Sequence, residues 1–457
     1  MNKFQTEFKL TPVGTMPARN SRDIPASYCG VGCETLDRDY FDPAPVFPQL
    51  ADLGVKWARL QTGWFKCERE PGQYNFAWLD KQVDTLLELG IEPWFNLGYG
   101  NNLYTPTAGS TAAEAVGHVP LNSPEALEAW VRYVTALTEH FRDRIQVYEI
   151  WNEPDHPNFW CNAPMTGERY AALFTPTATA IRRVKPDARI AAPAMTSGLL
   201  DYRGQRYLSE IFKHADPALL DIVSFHMYWY PPDWRYVEEV GKIRALLARI
   251  APHAELWQGE GGYPSEGGGT GAGAHNNFST DNIQAKWLTR YILCNLGIGI
   301  RHVSWFHAID LLGYREDKAT KNPKGLLRAP CGTRKPSFDT YQRLCGMFDA
   351  TLQPVARRWS SRIDVPTTAH IMHNIKAFHF ENETRRCVAY WREGGIEDEN
   401  AYLHASLWIE GAWNNATLQD PISGTVHAVA GTPEADGTRF DLPLGDYALI
   451  LNTAPSP

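Results

Sequence analysis

Two glutamates stand where short apolar runs give out. Glu153 follows Tyr148-Glu149-Ile150-Trp151-Asn152 and precedes Pro154; Glu260 follows Leu256-Trp257-Gln258-Gly259 and precedes Gly261-Gly262. Pro154 supplies no backbone N–H, so a strand must end there, and the two glycines let the chain turn sharply after Glu260. Two carboxyls brought together can divide one task. One protonates a departing oxygen and the other stabilises or captures an oxocarbenium-like carbon, which is the chemistry of glycosidic-bond cleavage. A glutamate beside Trp151 and Trp160 is expected to be desolvated, which raises its pKa and keeps it protonated near neutrality, so Glu153 fits the acid. Glu260 fits the second role. The plain alternatives are a surface glutamate before a proline and a loop carboxylate; position at a strand end favours chemistry for both. Glu255 and Glu266 are weaker competitors, one at a strand's start and the other in a glycine-rich loop.

Such a pair needs elements that end side by side. Eight short apolar runs, rich in β-branched and aromatic residues, fall at 28–33, 55–61, 91–97, 145–151, 189–193, 220–225, 254–259 and 299–306. Strands buried on both faces have this composition. Longer amphipathic stretches lie between them. Apolar residues at 76, 79, 83, 86 and 87 make one helical face ahead of Gly90. Ser123-Pro124-Glu125 opens another helix with a cap, a proline and an acid in its first turn. Further helices are expected at 167–184, 235–250, 280–296 and 336–349. The alternation predicts an α/β fold, a (β/α)₈ TIM barrel over residues 27–350. An open doubly wound sheet is the runner-up, but the first turn lacks its glycine fingerprint. In a barrel the site belongs at the C-terminal ends of the strands. Past residue 350 the pattern becomes alternating strands separated by Gly394-Gly395, Asn414-Asn415 and Asp436-Gly437, a small antiparallel β-sandwich-like accessory domain over 351–457. Residues 1–26 form an N-terminal segment that can add a strand to it.

Composition narrows the partners. The chain has 457 residues, 44% hydrophobic and 21% charged, with a formal net charge of -8. An acidic balance argues against a duplex nucleic-acid partner, and no run approaches the roughly 20 apolar residues of a membrane span. The opening Met1-Asn2-Lys3-Phe4-Gln5-Thr6-Glu7 has no apolar signal region, so a cytoplasmic location is expected. Eight cysteines occur singly with no C-x-x-C pair, which reads as reduced, mostly buried thiols. The 16 tryptophans and 20 tyrosines are numerous, and flat rings stack well on the C–H faces of sugars.

With these motifs in order, the chain resembles the clan A retaining glycoside hydrolases, and within them family 39, whose members include β-xylosidases. The resemblance covers roughly 27–350. It rests on Ala58-Arg59, Glu70-Pro71-Gly72-Gln73-Tyr74-Asn75-Phe76, Trp151-Asn152-Glu153-Pro154, His226-Met227-Tyr228, Glu260 and Trp305. It implies a retaining double displacement with Glu153 as acid/base and Glu260 as nucleophile, acting on oligosaccharides or small glycosides. Around that pair, Asn152 is expected to meet the sugar 2-hydroxyl. Arg59 is expected to hold Glu260 ionised, with a structural ion pair as the alternative, and Tyr228 to donate to Glu260, placing its pKa below that of Glu153. His226 is expected to orient the same group, unless it is an ordinary core histidine. Trp305 is expected beneath the sugar, and Trp64, Trp160 and His307 around it. Tyr99, Asn101, Tyr104, Trp229, Tyr230 and Tyr263 are further contact candidates.

Other signals weigh less. The run 267–273 is glycine-rich but lacks a Gly-Lys-Ser/Thr ending, so a rim loop is favoured over a phosphate cradle, with Asn276 and Asn277 as weak hydroxyl contacts. His302, His307 and Asp310 suggest a metal, but the two histidines should sit at opposite ends of one strand; no metal and no cofactor are expected. Trp391, Trp408 and Trp413 could bind carbohydrate, although packing on the barrel is the favoured reading. A homo-oligomer is left open. Two other functions remain in view: a non-catalytic carbohydrate-binding barrel, and a transglycosylase using the same carboxylates.

Overall fold

The computed structural model describes residues 4, 7–106, 116–267, 279–313, 321–364 and 374–453. The run 268–273, Asn276 and Asn277 lie outside the described residues.

Eight parallel strands close into a barrel. They are β1 (Cys29–Gly32), β2 (Trp57–Gln61), β3 (Glu92–Leu97), β4 (Val147–Ile150), β5 (Arg189–Ala191), β6 (Ile222–His226), β7 (Glu255–Glu260) and β8 (Val303–Trp305). Each pairs with its sequence neighbours, and β8 returns to β1 through Val303↔Cys29, Ser304↔Gly30 and Trp305↔Val31. All eight expected strands are present, several shorter than their apolar runs. The offset matters at β6 and β7, whose last residues are His226 and Glu260, so both functional candidates are strand residues paired to one another.

The barrel interior changes character along its axis. At the N-terminal end Trp57, Trp94, Val147, Ala191, Ile222 and Trp257 pack together, with His302 stacked on Trp257. Large rings fill that end densely, so it is a core and not a channel. At the C-terminal end the inward residues are charged.

The helices follow their caps. Ser123 Oγ accepts from Ala126 N at 3.1 Å and starts the helix Pro124–Phe141; Thr166 does the same for Gly167–Val184. Each cap contributes about 1 kcal/mol. One helix, Tyr202–His214, has no counterpart in the sequence reading. It buries only Gly204, Leu208 and Ile211, too thin an apolar stripe to stand out, and tertiary contact supplies the rest. Gly204 is required there, because a Cβ would lie 2.2 Å from the Gly198 carbonyl oxygen. No described helix is long and apolar enough to cross a membrane.

Beyond the barrel lie two antiparallel sheets. One has seven strands and includes Thr11–Thr15, which pairs with Thr425–Ala428; the other has four. The helix Asp281–Gly297 lies between barrel and sheets and buries nearly every residue, Lys286 and Arg290 included, because both its sides are covered.

Candidate active site

The fourth strand ends in an unusual backbone. Trp151 has φ 66° and Glu153 has φ 42°, two left-handed non-glycine residues within three positions. Such conformations cost about 1–3 kcal/mol each and persist only where the surroundings over-determine them. Here Trp151 N donates to Leu97 O at 3.1 Å, Asn96 Nδ2 to Trp151 O at 2.7 Å and Trp151 Nε1 to Phe159 O at 2.6 Å. Tyr170 OH donates to Ile150 O at 2.7 Å, and Glu153 N to Ala194 O at 2.9 Å. β3, β5 and the following helix thus hold the turn that presents Glu153.

Arg59, on β2, is the hub. Its Nε and Nη2 donate to Glu149 Oε2 at 2.8 and 2.5 Å, and Nη2 also donates to Asn152 Oδ1 at 2.9 Å. Its Nη1 donates to Glu34 Oε1 at 2.9 Å and to Glu260 Oε2 at 3.0 Å. Trp94 lies under the guanidinium, with Cζ 5.6 Å from the ring centroid. Asn96 Nδ2 adds a donor to Glu149 Oε2 at 2.9 Å. With Oδ1 of Asn152 taken by Arg59, its amide hydrogens are the part left to face a ligand.

Glu260 and Glu153 keep different company. Tyr228 OH donates to Glu260 Oε1 at 2.5 Å. His226 Nδ1 is 2.9 Å from Glu153 Oε1 but 3.7 Å from Glu260 Oε2. The expectation for His226 is therefore corrected. It bonds the Glu153 carboxyl, although Glu260 is its register partner on β7, and stays 3.7 Å from the Glu260 carboxyl. The side chains of Arg59, Glu149 and His226 are fully buried, whereas Glu153 and Glu260 keep 11% and 13% exposure. The two glutamates are thus the open edge of an otherwise closed cluster.

Burial pushes the Glu260 carboxyl above its ordinary pKa, against the pull of His226 and Arg59 and with Glu153 and Glu34 adding to the rise. The lowering expected from Tyr228 is outweighed by desolvation. Burial also raises Glu34 and lowers His226, which favours a neutral imidazole. Burial thus favours the protonated forms of Glu34 and Glu260, against the pull of the one guanidinium they share.

Six of the ten site residues expected from sequence, Glu153, Glu260, Arg59, Asn152, His226 and Tyr228, meet in this network. The other four lie in packed surroundings. Trp305 is wholly buried, with Nε1 donating to Lys324 O at 2.9 Å and its ring against Tyr263 and Tyr291. Trp64 stacks between Tyr104 and Tyr133 and donates to Glu68 Oε2 at 2.6 Å. Trp160 packs edge-on to Trp151. His307 Nε2 bonds the Glu34 carbonyl oxygen at 2.8 Å, and its Nδ1 lies against the Ile309 backbone. Among the further candidates Tyr99, Asn101 and Tyr263 are buried, while Tyr104, Trp229 and Tyr230 are half-buried.

Glu34, Glu149 and Asn96 were not singled out from sequence. A charge inside the apolar run of β4, and an amide inside that of β3, are signals that could have found two of them; Glu34 has none.

Glu153, His226 and Glu260 each offer an atom within 4.8 Å of the others, a spacing a cation could use. The 2.9 Å contact between His226 and Glu153 is that of a hydrogen-bonded pair. The other suggested cluster is divided: His302 stacks on Trp257, whereas Asp310 pairs with Lys335 at 2.5 Å. Trp391 and Trp413 are buried and Trp408 is half-buried, and Trp391 Nε1 donates to Asp233 Oδ2 at 2.5 Å.

Comparison with known proteins agrees with this geometry. Residues 61–241 match the model of Glycosyl hydrolases family 39, a span that includes Glu153, His226 and Tyr228. A beta-xylosidase of Geobacillus stearothermophilus is 30% identical over 208 residues, 40% of this chain and 40% of that protein. A beta-xylosidase of Caldicellulosiruptor saccharolyticus is 28% identical over 196 residues, 39% of this chain and 37% of that protein. The matched part thus spans well under half the length of these relatives. In fold, the chain is similar to a family 39 glycoside hydrolase from Bacteroides cellulosilyticus WH2, with a TM-score of 0.67 at 16% identity over 96% of this chain and 83% of that one. It is also similar to a monomeric beta-xylosidase from Caulobacter crescentus CB15, with a TM-score of 0.59 at 15% identity over 97% and 98% of the two chains. Over residues 61–241 the chain is thus similar in sequence to Glycosyl hydrolases family 39, and its whole fold is that of the family 39 structures it resembles.

Proposed function

We propose that this chain is a retaining glycosidase that cleaves oligosaccharides or small glycosides by double displacement, with β-xylosides as the first substrates to try. The observation that carries the reading is the separation of the two open carboxyls: an oxygen of Glu153 and one of Glu260 lie within 4.8 Å. Retention uses carboxyls about 5–5.5 Å apart, whereas inversion needs roughly 6.5–9.5 Å to admit a water between them. The names of the two curated relatives support the choice of sugar.

In the first step Glu260 attacks the anomeric carbon while Glu153 gives its proton to the departing oxygen. In the second, Glu153, now a carboxylate, takes a proton from water. The hydroxyl attacks the anomeric carbon and Glu260 leaves as carboxylate. A neutral His226 suits both states of Glu153, accepting from the acid or, as the other tautomer, donating to the carboxylate. Tyr228 and Arg59 each hold one oxygen of Glu260, orienting it for attack. The barrel of residues 27–350 would carry the reaction, and the sheets of 351–457 would brace it.

The test is hydrolysis of a panel of aryl glycosides by wild type, Glu153→Ala and Glu260→Ala. The expected result is one cleaved sugar, an inactive Glu260→Ala rescued by azide with inverted product, and a Glu153→Ala slowed about 10²–10⁴-fold on poor leaving groups. Variants as active as wild type would overturn both assignments. Transfer to an added sugar acceptor in preference to water would make the protein a transglycosylase.

A further inference from the structure

The hub arginine is fully subscribed. Guanidinium has five N–H donors, and Arg59 spends them on two contacts to Glu149, one to Asn152, one to Glu34 and one to Glu260. Glu34 and Glu260 share the same nitrogen, Nη1. From this geometry we propose that Glu34 is a positioning residue, which sets how firmly Glu260 is held as a carboxylate by sharing with it the charge of one Arg59 nitrogen. The proposal rests on the assignment of Glu260 as the nucleophile.

Glu34 does not look like a structural ion-pair partner alone. It is buried, yet its Oε2 accepts no hydrogen bond among the described residues. Besides Arg59, His307 comes near, with Nε2 3.7 Å from that oxygen and already bonded to the Glu34 carbonyl oxygen at 2.8 Å. Burial pushes His307 down to about 4, so it brings no charge near neutrality. The chain also makes room for this carboxyl: a Cβ on Gly32 would lie 2.1 Å from Glu34 Oε2. One Glu34 oxygen is tied to the nitrogen that serves Glu260, and the other is held beside Gly32 with no hydrogen bond among the described residues.

The groups facing this pair come from every neighbouring element. Besides Arg59 there are Cys33 from the end of β1, Glu149 and Glu153 from β4, and His226 and Tyr228 from β6. Tyr291 faces it from the helix Asp281–Gly297 and His307 from the segment after β8. Arg59 is the one among them that stays cationic near neutrality. Ionisation of Glu34 therefore draws on the same charge that stabilises ionised Glu260, and the two titrate as a linked pair. Removing the Glu34 charge leaves Glu260 a larger share of the Arg59 charge and removes a nearby like charge. Both effects favour the Glu260 carboxylate.

The experiment is the pH profile of kcat/KM for wild type, Glu34→Gln, Glu34→Asp and Gly32→Ala on the cleaved aryl glycoside. In Glu34→Gln the acid limb is expected to move to lower pH by on the order of one unit, and Glu34→Asp to move it back towards wild type. Gly32→Ala, which crowds the carboxyl off Arg59 without removing it, is expected to move the limb the same way as Glu34→Gln. An active Glu34→Gln with its limb at the wild-type position overturns the proposal, and a purely structural role stands. If Glu34→Gln does not fold, Gly32→Ala decides: an unmoved limb, or failure of that variant to fold as well, also overturns it. Failure of the glycosidase assignment is separate. It shows as a Glu260→Ala that still cleaves, or a wild type that cleaves nothing, and either result removes this inference with it.

Discussion

Two buried clusters of charge in this molecule look alike in composition and differ in balance. Around Arg59, one guanidinium faces Glu34, Glu149 and Glu260, with Glu153 joined through His226. At the junction of barrel and sheets, Lys286 pairs with Asp446 at 3.0 Å and Arg290 with Asp233 at 2.5 Å, two cations to two carboxylates. The junction is also tied in by neutral groups. Trp391 Nε1 and Glu397 N donate to Asp233 and Asp446, and Lys286 Nζ donates to the Glu397 and Glu399 carbonyls. A balanced set has no reason to store a proton and serves to lock one element onto another. In the unbalanced set burial raises the Glu260 carboxyl, at the open edge it shares with Glu153. Burial alone, then, does not separate a structural cluster from a reactive one; the ratio of charges and the exposure of particular members do.

The sharpest break in the comparison is Glu260→Ala. It should lower kcat/KM by more than the roughly 10²–10⁴-fold that a missing acid/base costs, and circular dichroism should show the fold retained. Arg59→Met should do something different, removing the lone cation from four carboxyls. Urea unfolding should record a loss of about 3–5 kcal/mol, partly recovered by adding Glu149→Gln. In the balanced cluster, Lys286→Met strands Asp446 and should cost a similar 3–5 kcal/mol or somewhat less. Its pH–rate profile should keep the wild-type shape, and a displaced acid limb there would merge the two clusters into one functional unit. In wild type, burial raises Glu260 above the ordinary 4.5, and its ionised form is the reactive one. Activity should therefore climb with pH through a midpoint above 4.5 on the acid side. A separate effect, spread over a wide pH window, concerns His302, which burial pushes down from 6.5 to about 3. Between those values the unfolded chain binds the extra proton, so stability should rise with pH across the window and be complete above it. The slope should be roughly 1.4 kcal/mol per unit. In His302→Phe that slope should shrink by one proton's share.

The amino-acid sequence determined the barrel and the strands whose ends matter, because strands buried on both faces leave unbroken apolar runs and turns leave proline and glycine. It also marked Glu153 and Glu260, since polar residues at the edge of such runs stand out against them, and the family resemblance added Arg59, Asn152, His226 and Tyr228. The partnerships were decided only by the tertiary structure. His226 bonds Glu153, two strands away across β5, and not Glu260, its register partner on β7, a choice that no local string encodes. The helix Tyr202–His214, with its thin apolar stripe, likewise depends on what packs against it. Glu34 and Glu149 belong to the same class: one follows an apolar run without any motif, and the other hides inside one. Their meeting on a single guanidinium comes from closing eight strands into a ring, which brings Glu34 and Arg59, 25 positions apart, together with Glu260, a further 201 positions from Arg59. The charge balance that distinguishes the two clusters is a property of that closure, because it depends on which side chains share one buried volume and not on which residues are neighbours in the chain.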